Sequence, residues 1–421
     1  MTLSNSISAE ERVWPELGAC RVPGWVYTDP ELFDREMEKF HYGKTWNFVG
    51  LECEIPEPNS YRRSFVGPRS VVITRDEQGE VHVVENRCAH RGAPVCWKQS
   101  GKGKDLTCPY HEWTYDLSGN LQGVPFLRGA KPYPGMPREF NKANHGLRKL
   151  KTHVHNGTIW ASFADDVLPF EDYVGPEILR FINRVFPGRE IRLLGYSRQH
   201  IPGNWKLYFE NSRDPYHATL LHSFFTTFGL YRADAKFCVT PQPNGHEFIY
   251  SHFTSNTREA SADMAAEMKN MKSNFTLEDM SVVTPVDEFK DGLISSLQVF
   301  PSIFVQQHGN ILALRHILPK NAGGTELAWT YFGYADDTEE MKQLRLKQGN
   351  LVGPAGYVSL EDSEVLAQVQ RTVSRAPDSV QVIEMGGRDN FEPSETAITE
   401  TLIRSFWKFY RSEMGFDGAA A

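Results

Sequence analysis

ENRCAHRGAPV, residues 85–95, places Cys88 and His90 one residue apart, beside Arg91 and Gly92. Both side chains can bind a soft metal. CPYHEW, residues 108–113, adds Cys108 and His111, so the pattern is C-x-H, 17 residues, then C-x-x-H. A structural zinc site can also be built from two cysteines and two histidines, but its spacing usually groups cysteines apart from histidines. One cysteine and one histidine on each loop instead suits a 2Fe–2S cluster in which two thiolates hold one iron and two imidazoles hold the other. Neutral imidazoles in place of thiolates make the cluster less negative and raise its potential. Gly92, Pro94, Pro109 and Tyr110 fit tight loops around such a cluster. The other cysteines, Cys20, Cys53, Cys96 and Cys238, read as small apolar residues.

Around these loops the pattern is short strands. SVVITRD and VHVVEN flank the turn EQGE as a hairpin, and GTIWASF at 157–163 is a further strand. An all-β domain over 45–163 follows. Residues 1–44 and 164–421 form the second domain, and 421 residues suit two or three domains. DPELFDREMEKFHY, 29–42, reads as a helix with Asp29 as N-cap and Pro30 in its first turn. LQVFPSIFVQQ, NILALRHILP and ELAWTYFGYA read as three antiparallel strands, TEEMKQLRLKQ and EDSEVLAQVQRTV as helices. The last helix, SETAITETLIRSFWKFYRSEM, carries Ile398, Leu402, Phe406 and Tyr410 at spacing four. The polar, Met-rich segment 256–280 is either a cover or a surface excursion. The fold class is α+β.

The formal net charge of −8 and the lack of a basic block argue against nucleic acid as a partner. No apolar run is long enough to span a membrane. MTLSNSISAEERVW lacks the features of a secretory signal, so a cytoplasmic location is the default expectation.

The second half must explain what the electrons are for. GNWKLYFENSRDPYHATLLH, 203–222, holds His217 and His222 five residues apart. On an ideal helix that spacing separates side chains by about 140°. Two histidines converging on one metal here therefore require a distorted helix, and Pro215 makes one plausible. Two histidines plus one carboxylate form the facial triad of non-haem Fe(II) oxygenases, with positions open for O₂.

C-A-H-R-G with C-P-Y-H-E-W-T-Y-D-L-S-G resembles the Rieske domain of ring-hydroxylating oxygenase large (alpha) subunits. N-W-K…E-N…D-x-Y-H-x₄-H resembles the iron-binding signature of the same family. The resemblance implies a Rieske 2Fe–2S cluster on Cys88, His90, Cys108 and His111. It also implies a mononuclear Fe(II) on His217, His222 and a carboxylate, in a helix-grip-like domain with an antiparallel sheet flanked by helices. The family places that carboxylate in a segment like GPAGYVSLED, which makes Asp362 the candidate, with Glu361 and Glu364 as rivals. By the same resemblance Asp214 is catalytic, linking the partner subunit's His111 to His217 across a subunit boundary. A carboxylate that accepts an imidazole N–H orients the ring and raises its basicity. Asn211 sits one residue nearer the aspartate than in some members and is a candidate on the substrate side.

The reaction so implied is O₂ insertion into an aromatic ring, as one hydroxyl or as a cis-dihydrodiol. The chain has neither a G-x-G-x-x-G nor a plant-type cluster motif, so electrons from NAD(P)H need a separate reductase, with or without a ferredoxin. The relatives imply a homotrimeric α core, α3β3 with a small β subunit. A pure electron carrier with a structural second domain is the competing class; the His217, His222 and Asp362 set argues against it. Arg315, in the apolar strand NILALRHILP, needs an anionic or hydrogen-bonding partner. That partner is either a protein acid or a substrate carboxylate, which a guanidinium matches with two parallel hydrogen bonds. Arg404 either binds such an acid or lies on a solvated basic face with Lys408 and Arg411. The stretches DPYHATLLHSFFTTFGLYRAD, VFPSIFVQQ, NLVGPAGYVS and VIEMGG look like the branch acting on aromatic acids. FGLYRAD and the N-terminal half incline the reading to a salicylate-type hydroxylase, with terephthalate and anthranilate dioxygenation as alternatives.

Overall fold

The computed structural model describes residues 12–228, 235–251, 275, 277–283, 286, 288–289 and 294–417. The chain divides into two compact units, Phe40–Phe170 and Met1–Lys39 with Glu171–Ala421.

The first unit is built on a seven-stranded antiparallel sheet. Its order is Asn47–Leu51, Thr158–Ser162, Lys149–His155, Val81–Glu85, Arg69–Arg75, Ser60–Val66, Ser100–Lys102. The hairpin expected around EQGE is present, with Arg75 opposite Val81. A three-stranded sheet, Asp105–Thr107, Thr114–Asp116 and Leu121–Gly123, carries the second Cys–His loop. Val72, Val84, Leu106, Trp113, Tyr115 and Leu147 pack around Cys88 and Cys108.

The second unit is a seven-stranded antiparallel sheet ordered Ile191–Ile201, Gly324–Tyr334, Ile311–Asn321, Ile303–His308, Ile294–Val299, Glu247–Ser251, Phe237–Pro241. LQVFPSIFVQQ is therefore not one strand but two, turning at Phe300–Ser302; Pro301 has no amide hydrogen with which to continue a ladder. Helices Trp205–Asn211, Pro215–Leu221, Ser223–Thr227 and Ser359–Val373 carry the site residues. The helix expected over 29–42 is α-helical for Pro30–Glu36, with Asp29 accepting from the amides of Glu31 and Leu32, and then widens to a π-helix over Met37–His41. The last helix starts at Thr401, so Ile398 lies outside it and is exposed, while Leu402, Phe406 and Tyr410 form its buried stripe. Most of 256–280, and residues 229–234 of FGLYRAD, lie outside the described residues. Among the described residues no helix is long and apolar enough to cross a membrane.

The helix Trp205–Asn211 is buried along nearly its whole length. Asn204 caps it, its side chain accepting from the Lys206 amide and donating to the carbonyls of Tyr27 and Ala322. Glu36 anchors its first turn: its carboxylate accepts from Trp205 Nε1 at 2.9 Å, from Lys206 Nζ at 2.6 Å and from the Tyr410 hydroxyl. Both charges of the Lys206–Glu36 pair are fully buried. Burial lowers the Lys206 pKa and Glu36 opposes that shift. Such a pair contributes little net energy intact but is expensive to break. Lys206→Met is expected to destabilise the protein by about 3–5 kcal/mol, because it strands the Glu36 charge. Adding Glu36→Gln should recover much of the loss. Urea unfolding at neutral pH measures both, and a Lys206→Met chain as stable as the parent would contradict this reading.

Candidate metal centres

The two Cys–His loops close in the same way. The Cys88 amide donates to the Ala93 carbonyl and the Gly92 amide to the Cys88 carbonyl. The Cys108 amide donates to the Trp113 carbonyl and the Glu112 amide to the Cys108 carbonyl. In each loop the fourth residue after the cysteine is left-handed, Gly92 at φ 77° and Glu112 at φ 54°. Glycine adopts that conformation freely, whereas Glu112 must be held in it by the loop.

Both cysteines are buried and neither is in a disulfide. The His90 and His111 rings lie 4.6 Å apart, and His90 stacks on Trp113 at 4.7 Å. The buried Nδ1 of His90 has no hydrogen-bond partner. The Tyr115 hydroxyl lies 3.2 Å from Cys88 Sγ and accepts from the Ala89 amide. Two paired thiols and two adjacent imidazoles, one with an unused buried nitrogen, fit a cluster held by sulfur on one iron and nitrogen on the other. Tyr115 is part of the second motif, but its contact with Cys88 of the first loop is tertiary and spacing alone does not show it.

In the second unit ENSRDPYHATLLHSFF, 210–225, reads as helix-like, but the structure divides this run among three short helices, Trp205–Asn211, Pro215–Leu221 and Ser223–Thr227. The first ends at Asn211; Asp214 caps the next, its Oδ1 accepting from the amides of Tyr216 and His217, with Pro215 in first position. That helix ends at Leu221, His222 takes φ −83°, ψ 69°, and the third begins at Ser223. The break at His222 supplies the distortion that the five-residue spacing demands.

It brings His217, His222 and Asp362 together, with one ligand atom from each inside 4.8 Å of the others. Nε2 of each histidine lies 3.3 Å from Asp362 Oδ1. Asp362 is in the first turn of Ser359–Val373 and is buried. Burial alone would raise its pKa, but His217 and His222 hold the carboxyl far below its usual range. Burial alone would lower His217; Asp214 and Asp362 push it up to about 10. His222 is raised as well, Asp362 and Glu361 outweighing its burial. The three side chains thus enclose a point that attracts positive charge, with two nitrogen donors and one carboxylate oxygen facing it. This donor set fits a ferrous ion.

Asn211 reaches the same point, its Nδ2 lying 3.1 Å from both His217 Nε2 and Asp362 Oδ1. Asp214 Oδ2 lies 3.3 Å from His217 Nδ1, close enough for a charge contact but too far off line for a hydrogen bond. Of the rivals to Asp362, Glu361 contacts His222 Nδ1 at 2.8 Å, on the side away from Asp362, and Glu364 is solvent-facing, with Gln368 donating to it.

A cavity of about 90 Å³ opens on the triad, walled by Phe237, Ile249, Phe304 and Val358 and by the polar Ser296, Gln306 and Arg315. Arg315 is 4% exposed. Its Nε and Nη2 donate to Gln306 Oε1 and its Nη1 to the Tyr208 hydroxyl, while the guanidinium lies over Trp329 and Phe304. Among the described residues it forms no ion pair with a carboxylate. Arg404 is a correction. It is neither on a solvated face nor in this cavity; it is fully buried and donates to the backbone carbonyls of Met385 and Asn390, which ties down the chain ahead of the last helix.

Residues 45–134 match the Rieske [2Fe-2S] domain family, and residues 189–415 match the ring hydroxylating alpha subunit (catalytic domain) family. The chain belongs to the Rieske ring-hydroxylating oxygenase alpha subunits. It is an oxidoreductase whose cofactors are a Rieske 2Fe–2S cluster and a mononuclear iron. The large oxygenase component of a salicylate 5-hydroxylase from Ralstonia sp is 43% identical over 96% of each chain. An anthranilate 1,2-dioxygenase large subunit from Burkholderia cepacia is 44% identical over 96% of this chain and 95% of its own. The terminal oxygenase component alpha 2 of a terephthalate 1,2-dioxygenase from Comamonas sp is 43% identical over 96% of this chain and 97% of its own. The solved naphthalene 1,2-dioxygenase from Rhodococcus sp. superposes with a TM-score of 0.75 at 24% identity over 94% of both chains, which confirms the α+β fold.

Proposed function

We propose that this alpha subunit is the terminal oxygenase of a multicomponent system that hydroxylates the ring of an aromatic carboxylic acid. The observation that carries this is Arg315, a buried cation at the triad's cavity with only neutral partners among the described residues. A buried charge without a counter-charge is costly. A substrate carboxylate supplies the missing charge and accepts from the guanidinium. Phe237, Ile249, Phe304 and Val358 offer the apolar walls a ring needs. Cys88, His90, Cys108 and His111 would hold the cluster, and His217, His222 and Asp362 the iron. When bound, the cluster passes single electrons and the iron activates O₂. Gln306 and Tyr208 fix the guanidinium, and so the substrate's orientation, while Asn211 lines the cavity beside the triad.

The similar relatives are named for three different aromatic acids at nearly equal identity, so overall likeness does not rank them. The N-terminal half and the stretch FGLYRAD favour a salicylate-type acid. Electrons would come from NAD(P)H through a separate reductase, with or without a ferredoxin. The assembly would be a homotrimeric α core with a small β subunit. Asp214 would link the cluster of one subunit to the iron of the next, from His217 to the partner subunit's His111; its side chain stays partly exposed beside His217.

Arg315→Leu is expected to weaken binding of the acid on the order of 100-fold, about 3 kcal/mol, with little effect on a matched neutral ring. Equal losses for both ligands in equilibrium titrations would make Arg315 a structural residue. Asp214→Asn is expected to leave both metal sites loaded while the reduced cluster no longer reoxidises on mixing with substrate and O₂. Normal reoxidation in stopped-flow absorbance would remove Asp214 from the electron route.

A further inference from the structure

His222 is the ligand that its own helix supports least. It stands at the break between Pro215–Leu221 and Ser223–Thr227, with non-helical dihedrals, so no regular turn sets the direction of its ring. Its side chain is almost fully buried, and its two ring nitrogens meet consecutive residues of another helix. Nε2 faces Asp362 Oδ1 at 3.3 Å, and Nδ1 meets Glu361 Oε2 at 2.8 Å. Consecutive helical residues diverge by about 100°, so neighbouring carboxylates can reach opposite sides of one imidazole. Both lie in the first turn of Ser359–Val373, where the helix dipole favours negative charge. His217 has a similar arrangement, with Asp214 on its Nδ1 side and Asp362 on its Nε2 side, but its outer contact is longer and off line.

Resting on the assignment of His217, His222 and Asp362 as the iron ligands, we infer that Glu361 is a positioning residue for the iron site. Its carboxylate accepts the Nδ1 proton of His222, which fixes the tautomer, leaves the Nε2 lone pair for the metal and makes it more basic. Glu361 is not itself a ligand, because its carboxylate is engaged on the Nδ1 side of the ring, while the converging atoms are on the Nε2 side. The adjacent acids of the sequence LED thus divide the work: Asp362 faces the metal and Glu361 orients the ring that faces it. Glu361 is only partly exposed, and no Lys or Arg among the described residues pairs with it within salt-bridge distance, so its carboxylate is left to accept from the imidazole.

The test measures iron affinity rather than turnover. Full-length protein with its cluster intact is depleted of the mononuclear iron and titrated anaerobically with ferrous ion against a chromogenic chelator. Glu361→Ala is expected to raise the dissociation constant roughly 10–100-fold, with the cluster's EPR signal and the melting temperature unchanged. Glu361→Gln keeps an acceptor for the Nδ1 proton without the charge, and its affinity should fall between Glu361→Ala and the parent. An unchanged dissociation constant in Glu361→Ala would overturn the inference. So would equal loss in both variants, which would make Glu361 a ligand in its own right. His222→Ala is the control: if it keeps parental iron affinity, the ligand assignment fails, whereas if it loses iron while Glu361→Ala does not, only the positioning role fails.

Discussion

His217 and His222 must aim at one point although five residues of helix would turn them well apart. The chain meets that constraint by ending a helix at Leu221, leaving His222 outside helical dihedrals and starting again at Ser223. Much of the second unit serves this break. Asp214 and Pro215 begin the short helix that carries His217. The buried helix before it is held by Asn204 at its start and by Glu36 through Trp205 and Lys206. Ser359–Val373 delivers Asp362 between the two imidazoles, and Glu361 meets the outer nitrogen of the less supported one.

The cluster loops solve a related problem by repetition. Each closes on itself with the same pair of backbone hydrogen bonds and a left-handed residue at the same position. Because each loop lies within six consecutive residues, its Cys–His spacing is readable from sequence, and Gly92 marks the left-handed position of the first; Glu112, at the same position of the second, carries no such signal. The hairpin around EQGE and the buried strand around Arg315 are readable for the same reason, since turn residues and apolar runs are local signals.

What depends on tertiary contact was not legible. Asp362 lies 140 residues beyond His222 and was reachable only through resemblance to a family. Glu361 looked like a rival ligand because sequence does not say which side of an imidazole an acid will meet. Arg404 shares a helical face with Lys408 and Arg411, which suggested solvent or substrate, yet its guanidinium is consumed by carbonyls of a preceding loop. LQVFPSIFVQQ looked like one strand because its apolar run continues through the turn that Pro301 imposes. Arg315 shows the converse: an unusual cation in an apolar strand was visible at once, and the structure shows the cavity it faces and the neutral partners that leave its charge uncompensated.

The central claim is that one chain holds two separate iron sites, a cluster for electrons and a single iron for oxygen. Iron and acid-labile sulfide analysis of the purified chain and of Asp362→Ala tests it most directly. The parent should hold about three irons and two sulfides per chain, and Asp362→Ala about two of each with the Rieske EPR signal intact. Two irons in the parent, or a third iron retained in Asp362→Ala, would contradict the account.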